Sequence, residues 1–110
     1  MIDWKRVADL KEELGDDDFL EVVPLFFEEV SEIIERLKQN ANLDQLERDL
    51  HSLKGSASNL GFTEFSMLCS RGESMAAKGD AASVDIAAIL ASFDGSCDIF
   101  HTGLKHGKAA

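Results

Sequence analysis

The chain has 110 residues, 45% of them hydrophobic, with one proline and no tyrosine, a composition typical of a compact helical protein. This length suits a single domain that buries about two thirds of its unfolded surface. Its formal net charge of −10 argues against binding nucleic acid or anionic membrane surfaces, because both depend on lysine and arginine to neutralise phosphates.

Helical periodicity begins near the start of the sequence. Four apolar residues repeat there at intervals of three and four, which predicts a short amphipathic helix over residues 3–14. Gly15 is placed to end it. The four apolar residues are Trp4, Val7, Leu10 and Leu14.

The second predicted helix covers about residues 17–39. Asp16, Asp17 and Asp18 are expected to supply its N-cap and first-turn acids, and Pro24 inside it predicts a kink near residues 20–23. Two adjoining apolar rows allow one row to face a core and the other to accept the first helix. The rows are Phe19, Val22, Phe26, Ile33 and Leu37, and Leu20, Val23, Phe27, Val30 and Ile34.

The third predicted helix, near residues 43–60, carries the most informative pattern. Asn42 and Gln45 are spaced like a capping box at its start, and Gly61 is placed to stop it. Its apolar residues lie on one helical face. They are Leu43, Leu46, Leu50, Leu53, Ala57 and Leu60.

Two further helices complete the pattern. The fourth opens at Phe62 or Thr63 and runs to Gly79, and Ser83 is expected to cap the fifth. The apolar stripe of the fourth helix is Phe65, Leu68, Gly72 and Met75. That of the fifth is Ile86, Leu90, Phe93, Cys97, Phe100 and Leu104. The sequence therefore predicts an all-α fold, an up-down four-helix bundle with an additional short N-terminal helix, as one domain over residues 1–110.

His51 lies off the apolar face of the third helix, about 100° around from Leu50. Its flank also carries Glu47, Lys54, Gly55 and Ser58. Because glycine in a helix interior costs about 0.5–1 kcal/mol relative to alanine, small residues beside a histidine suggest that something large approaches closely.

The chemistry of this flank suits phosphoryl transfer. Imidazole nitrogen is an effective nucleophile in covalent catalysis. Lys54, one turn after His51, could screen the charge that a phosphoryl group adds. Gly55 would leave room for a partner's active site.

Residues 51–61, HSLKGSASNLG, resemble the signature of histidine-containing phosphotransfer (HPt) domains, H-x-[LI]-K-G-x-[AS]-x-x-[LIV]-G. Residues 68–80 resemble the next helix of that family, which ends in a similar Glu…Ala-Ala-(basic)-Gly-Asp pattern. Gly72 departs from the family, which usually has a large apolar residue there.

The resemblance implies a histidine phosphotransfer protein of a two-component His–Asp phosphorelay. His51 would carry the phosphoryl group between receiver-domain aspartates, or accept it from a sensor or hybrid histidine kinase. Lys54 would stabilise the phosphoryl group and Gly55 would admit the partner. Glu73 would lie near the His51 site, because the fourth helix of the family borders it. Glu47, Ser58 and Glu73 are expected to contact the partner.

The receiver domain would supply the carboxylate and Mg²⁺, because phosphoryl transfer depends mostly on alignment and charge neutralisation. The sequence has no glycine-rich phosphate loop and no nucleotide-binding fingerprint. We therefore expect a phosphocarrier that is not an enzyme, with no ATP-dependent kinase activity and no cofactor of its own.

Other functions stay open. The chain could be the phosphoacceptor domain of a chemotaxis-type histidine kinase, although its start at Met1 and its end over residues 107–110 favour a free-standing module. It could instead be a helical adaptor that binds receiver domains without carrying phosphate, or a purely structural bundle.

The remaining chemistry-bearing residues suggest no second site. His101 and His106 are five apart, so they do not form an i,i+4 metal pair, and we expect no metal site. Cys69 and Cys97 are expected to be small buried hydrophobes rather than a disulfide. With no signal segment and no apolar run of membrane-spanning length, we expect a cytoplasmic protein.

Overall fold

A computed structural model describes residues 2–108, and every regular element in that range is helical. This confirms the predicted all-α fold class. A 3₁₀ turn at Ala81–Ser83 precedes the last helix. The helices are α1 (Trp4–Leu14), α2 (Asp16–Asn40), α3 (Leu46–Asn59), α4 (Thr63–Ala77) and α5 (Ile86–Lys105).

The four long helices share one core. Contacts join α2 to α3, α3 to α4, α4 to α5 and α2 to α5, while α1 packs against α2 and α3. The up-down order of the helices and the single-domain assignment stay predictions, and residues 1, 109 and 110 of the predicted domain lie outside the described range. Between residues 2 and 108, no helix combines the length and apolar character needed to cross a membrane.

The core fixes the inner face of α3. Leu46, Leu50 and Leu53 are fully buried, as the periodicity predicts. Phe62, which precedes α4, and Phe100 of α5 belong to the same core, and their ring centroids lie 5.4 Å apart, inside the range of favourable aromatic contact. Since this inner face is held firmly, the opposite flank of α3 is presented to solvent in a defined orientation.

The first helix forms as predicted. Asp3 caps α1 by accepting hydrogen bonds from the backbone N–H groups of Lys5 and Arg6. Gly15, with φ +86°, ends the helix. The indole ring of Trp4 stacks on Phe100 and thereby joins α1 to α5.

The start of α2 corrects one capping prediction. Gly15, rather than an aspartate, occupies the N-cap position, and residues 16–18 all lie in the first helical turn. There the carboxylates still complement the helix dipole. The helix continues through Pro24, and the kink predicted near residues 20–23 stays a prediction.

One residue of the predicted apolar rows of α2 is also misplaced. The groove between α1 and α2 is lined by Val22 and Phe26 of α2, so α1 approaches that side of the helix. Leu20 points away from it and is 70% exposed. The prediction that Leu20 belongs to a packed row is therefore wrong.

The capping box predicted for α3 is also wrong. Asn42 Oδ1 accepts a hydrogen bond from the N–H of Asp44 at 3.0 Å, and a turn over residues 43–45 precedes the helix. Leu43 lies in that turn and is 44% exposed, instead of lying on the apolar face. The side chain of Asn42 stabilises this turn because Asn bonds readily to nearby backbone.

The start and the buried face of α5 differ from prediction as well. Ser83 lies in the 3₁₀ turn and donates its hydroxyl to Asp80, while Asp85 caps α5 by accepting from the N–H of Ala88. The buried row is Ile89, Phe93, Ser96, Phe100 and Gly103, and Ile86, Leu90, Cys97 and Leu104 are only half-buried. Gly103 belongs to this row because the ring of Trp4 occupies the space that a side chain at residue 103 would need.

Gly61 ends α3, which confirms the prediction. Its φ of +76° permits a Schellman motif, in which Gly61 N–H donates to Ser58 O and Phe62 N–H donates to Ala57 O. Its own carbonyl accepts from Asp3 N–H at 2.7 Å. A Cβ atom at Gly61 would lie 2.5 Å from the carbonyl oxygen of Asp3, so this glycine also admits the N-terminal segment.

Gly61→Ala should lower the free energy of unfolding by roughly 2–3 kcal/mol, because it strains a left-handed residue and displaces a hydrogen-bonded segment. Gly79→Ala is the matched control, since Gly79 also ends a helix at positive φ but has open space around its Cβ position. It should cost only about 1 kcal/mol. Urea denaturation measures both, and equal losses would show that the contact with Asp3 is unimportant.

Candidate functional site

The imidazole of His51 stands on the outer flank of α3, where the sequence places it. Its side chain is 67% exposed, while its neighbours Leu50 and Leu53 are fully buried. An exposed group on a rigid helix meets a partner without a large rearrangement of the backbone.

A carboxylate from α4 joins His51 to Lys54. Glu73 Oε2 lies 2.8 Å from His51 Nδ1, and Glu73 Oε1 lies 2.7 Å from Lys54 Nζ. We call these three residues the bridged triad. The side chain of Glu73 is only 21% exposed and that of Lys54 is 32% exposed, so the two charges are partly shielded from water.

This geometry selects one form of the neutral imidazole. Because a carboxylate only accepts hydrogen bonds, Nδ1 must carry the proton that it donates to Glu73. The neutral ring then has its lone pair on Nε2. Within residues 2–108 Nε2 has no hydrogen-bond partner, so its lone pair is free to react.

Glu73 is held in its charged form. The ion pair with Lys54 lowers the pKa of Glu73, burial opposes this, and the hydrogen bond from His51 lowers the pKa further. A carboxylate with a depressed pKa remains a hydrogen-bond acceptor over the physiological range. The orientation of His51 is therefore maintained at neutral pH.

Gly55 follows His51 by one turn and is exposed. A Cβ atom built on it would meet nothing within 4 Å. The fold itself therefore does not require glycine at this position, although glycine costs helix stability there. That cost is consistent with a need for space outside the domain.

The two remaining residues predicted on α3 lie apart from the triad. Glu47 is exposed in the first turn of α3 and takes part in none of the ion pairs found between residues 2 and 108. Ser58 shares a 2.7 Å hydrogen bond with Ser66 of α4, whose hydroxyl lies 3.4 Å from the carbonyl oxygen of Lys54. Ser58 therefore helps to join α3 to α4.

Concave surfaces lie on both sides of α3. The one toward α1 and α2, which we call the apolar groove, has a volume of about 390 Å³ and includes Leu10, Leu14 and Leu25. The one toward α4 has a volume of about 480 Å³ and includes Lys54, Gly55 and Ser58. The α4 residues that line this second surface include Met67, Ser70 and Arg71. Sequence reasoning missed these three because no local spacing relates them to His51.

The other reactive side chains are unsuited to catalysis. Burial and the charge of Glu73 raise the pKa of Cys69 to about 12, and burial with nearby aspartates raises the pKa of Cys97 to about 11. Both thiols are free and stay protonated, hence unreactive, near neutral pH. In the described part of the chain, no cluster of three or more His, Cys, Asp or Glu side chains could hold a metal ion.

Comparison with known proteins gives one match. The family model described as Hpt domain matches residues 21–98, about 71% of the chain. The matched range contains the bridged triad and Gly55. No curated protein and no solved structure matches the chain.

The ion pair of Glu73 should make stability depend on pH. Because the pKa of Glu73 is below its ordinary 4.5 in the folded state, its stabilising contribution is present above 4.5 and is lost as the pH falls through the folded value. Between about pH 5 and pH 3, the wild type should lose on the order of 0.5–1 kcal/mol more stability than Glu73→Gln.

Urea denaturation at several pH values measures this difference. Lys54→Met removes the main cause of the shift, so it should reduce the same pH dependence. If Glu73→Gln and the wild type lose stability in parallel, the ion pair does not contribute to folding.

Proposed function

Since the chain belongs to the Hpt domain family, we propose that it is a histidine phosphotransfer protein that carries a phosphoryl group on His51 in a two-component His–Asp phosphorelay. Membership in the family gives the general role of phosphocarrier. One observation carries the assignment to His51: its exposed imidazole donates Nδ1–H to Glu73 and leaves Nε2 free.

The proposed transfer follows from this arrangement. The lone pair of Nε2 attacks the phosphorus of an aspartyl phosphate on the partner, an N–P bond forms, and the P–O bond to the aspartate breaks. The aspartate leaves as a carboxylate with the bonding electron pair. The proton on Nδ1 remains hydrogen-bonded to Glu73, which stabilises the positive charge that develops on the ring.

Lys54 offsets the negative charge that Glu73 places beside the imidazole. A phosphoryl group carries ≈ −1.5 to −2 charge near neutral pH, and a bare carboxylate beside it would repel it. The ammonium of Lys54 neutralises Glu73 at 2.7 Å and can also attract the phosphoryl oxygens. We therefore propose that Lys54 stabilises the phosphorylated form.

The partners are proposed to be receiver domains and a sensor or hybrid histidine kinase. The receiver would contribute the aspartate and Mg²⁺, which neutralises charge during transfer, while this chain contributes the positioned imidazole. Gly55 and the apolar groove would face the receiver, and the exposed Leu25 (62% exposed) would supply apolar contact area. We propose no nucleic acid or membrane as partner, and a cytoplasmic location.

Phosphoramidate, a small phosphoryl donor, should add one acid-labile phosphoryl group to the wild type. His51→Gln should abolish that labelling with the helical content unchanged, because it removes the free Nε2. Mass spectrometry before and after acid treatment measures the result, followed by transfer to a panel of receiver domains.

The other two histidines provide the control. His101 and His106 are exposed, and His101→Gln and His106→Gln should leave labelling intact. Labelling that persists in His51→Gln would contradict the assignment, and failure of the phosphorylated protein to label any receiver would favour a different role.

Gly55→Arg should weaken binding to a receiver that accepts phosphate from His51 by about tenfold or more, because the added side chain occupies the approach to the imidazole. Gly95→Arg is the matched control, since Gly95 is also an exposed helical glycine with open space around it, but on α5. Titration calorimetry with unphosphorylated proteins measures both affinities. Equal affinities for the two variants would show that the receiver does not approach Gly55.

A further inference from the structure

Gly72 of α4 faces Leu50 of α3 in the core, next to the bridged triad along both helices. A Cβ atom at Gly72 would lie 2.7 Å from Leu50 Cδ1 and 3.1 Å from Val84 Cγ1. Ordinary contacts of a Cβ atom begin at 3.4 Å. A side chain at residue 72 would therefore require these neighbouring groups to shift.

This buried contact is adjacent in sequence to both partners of the exposed hydrogen bond. Leu50 precedes His51 on α3, and Gly72 precedes Glu73 on α4. One residue corresponds to a rise of about 1.5 Å along a helix, and helices shift as stiff bodies. A displacement of α4 at Gly72 is therefore transmitted almost fully to the carboxylate of Glu73.

The groups that would have to shift lie in the core. Leu50 is fully buried, and Val84 and Ile89 close the other side of Gly72. Interiors packed at native density transmit strain instead of absorbing it. An added methyl group is thus expected to push α4 away from α3.

The hydrogen bond above this contact is sensitive to such a movement. The 2.8 Å separation of His51 Nδ1 and Glu73 Oε2 leaves less than about 1 Å before the contact ceases to be a hydrogen bond. We propose that Gly72 is a positioning residue, which sets the spacing of α3 and α4 at which Glu73 holds Nδ1 of His51. Its consequence for phosphoryl transfer depends on the function proposed above.

Nitrogen-15 NMR of the imidazole tests the positioning role without any phosphoryl donor. At a pH where His51 is neutral, the wild type should show one tautomer, with Nδ1 protonated. Gly72→Ala should shift both ring nitrogens toward the averaged signals of a tautomer mixture. Glu73→Gln provides the reference for an imidazole whose carboxylate has been removed.

Matched variants separate this effect from lost stability. Gly103→Ala places its methyl group against the ring of Trp4, at the contact of α1 with α5, and Gly95→Ala places one in open space. Both should keep the wild-type tautomer, although Gly103→Ala should be less stable. Leu50→Val removes the atom nearest to Cβ of residue 72, so adding it to Gly72→Ala should restore the tautomer.

A wild-type tautomer in folded Gly72→Ala would overturn the proposal. If that variant does not fold, the double variant decides: a restored tautomer supports the proposal, and a mixture overturns it.

Labelling with phosphoramidate distinguishes the two proposals. If both proposals hold, Gly72→Ala should be labelled about tenfold more slowly than the wild type, as expected for a misplaced reacting group. A changed tautomer without labelling of wild-type His51 would leave Gly72 as a positioning residue and remove the phosphotransfer function. An unchanged tautomer in Gly72→Ala, together with normal labelling, would remove the positioning role of Gly72 and support the phosphotransfer function.

Discussion

A carboxylate shared by two side chains is the interaction on which this surface depends. Glu73 accepts a hydrogen bond from His51 with one oxygen and pairs with Lys54 through the other. The first contact fixes the ring and exposes Nε2, and the second keeps Glu73 ionised and offsets its charge. Without the lysine, the same carboxylate would repel the phosphoryl group that the imidazole is proposed to carry.

The rest of the fold can be understood as support for that arrangement. The buried leucines of α3 anchor its inner face, and the absent side chain at Gly72 is proposed to set the spacing of α3 and α4 at which Glu73 reaches across. Beyond the end of α3, Gly61 closes the helix and binds Asp3. The bridged triad thus lies on α3 and α4, the most tightly packed pair of helices in the described part of the chain. This suits a function that requires alignment and little motion.

Most of the helices could be predicted because apolar periodicity reports the buried face directly. The failures concern features that periodicity does not report. Asn42 and Ser83 have suitable side chains for caps, yet each bonds within a turn that precedes the helix. On α5, the buried row includes Ser96 and Gly103. Hydrophobicity alone would place both outside a core, but small residues allow neighbouring elements to pack closely.

The sequence by itself determined the all-α class, the exposed flank of α3 with His51, Lys54 and Gly55, and the family resemblance that the Hpt domain match confirms. These follow from spacing within one helix, where 3.6 residues per turn fix which side chains are neighbours. Only the tertiary structure decided that Glu73, 22 residues from His51, bridges the histidine to the lysine. The contact depends on how closely and in which register two helices pack, and those quantities are set by the whole core, including the glycine at position 72.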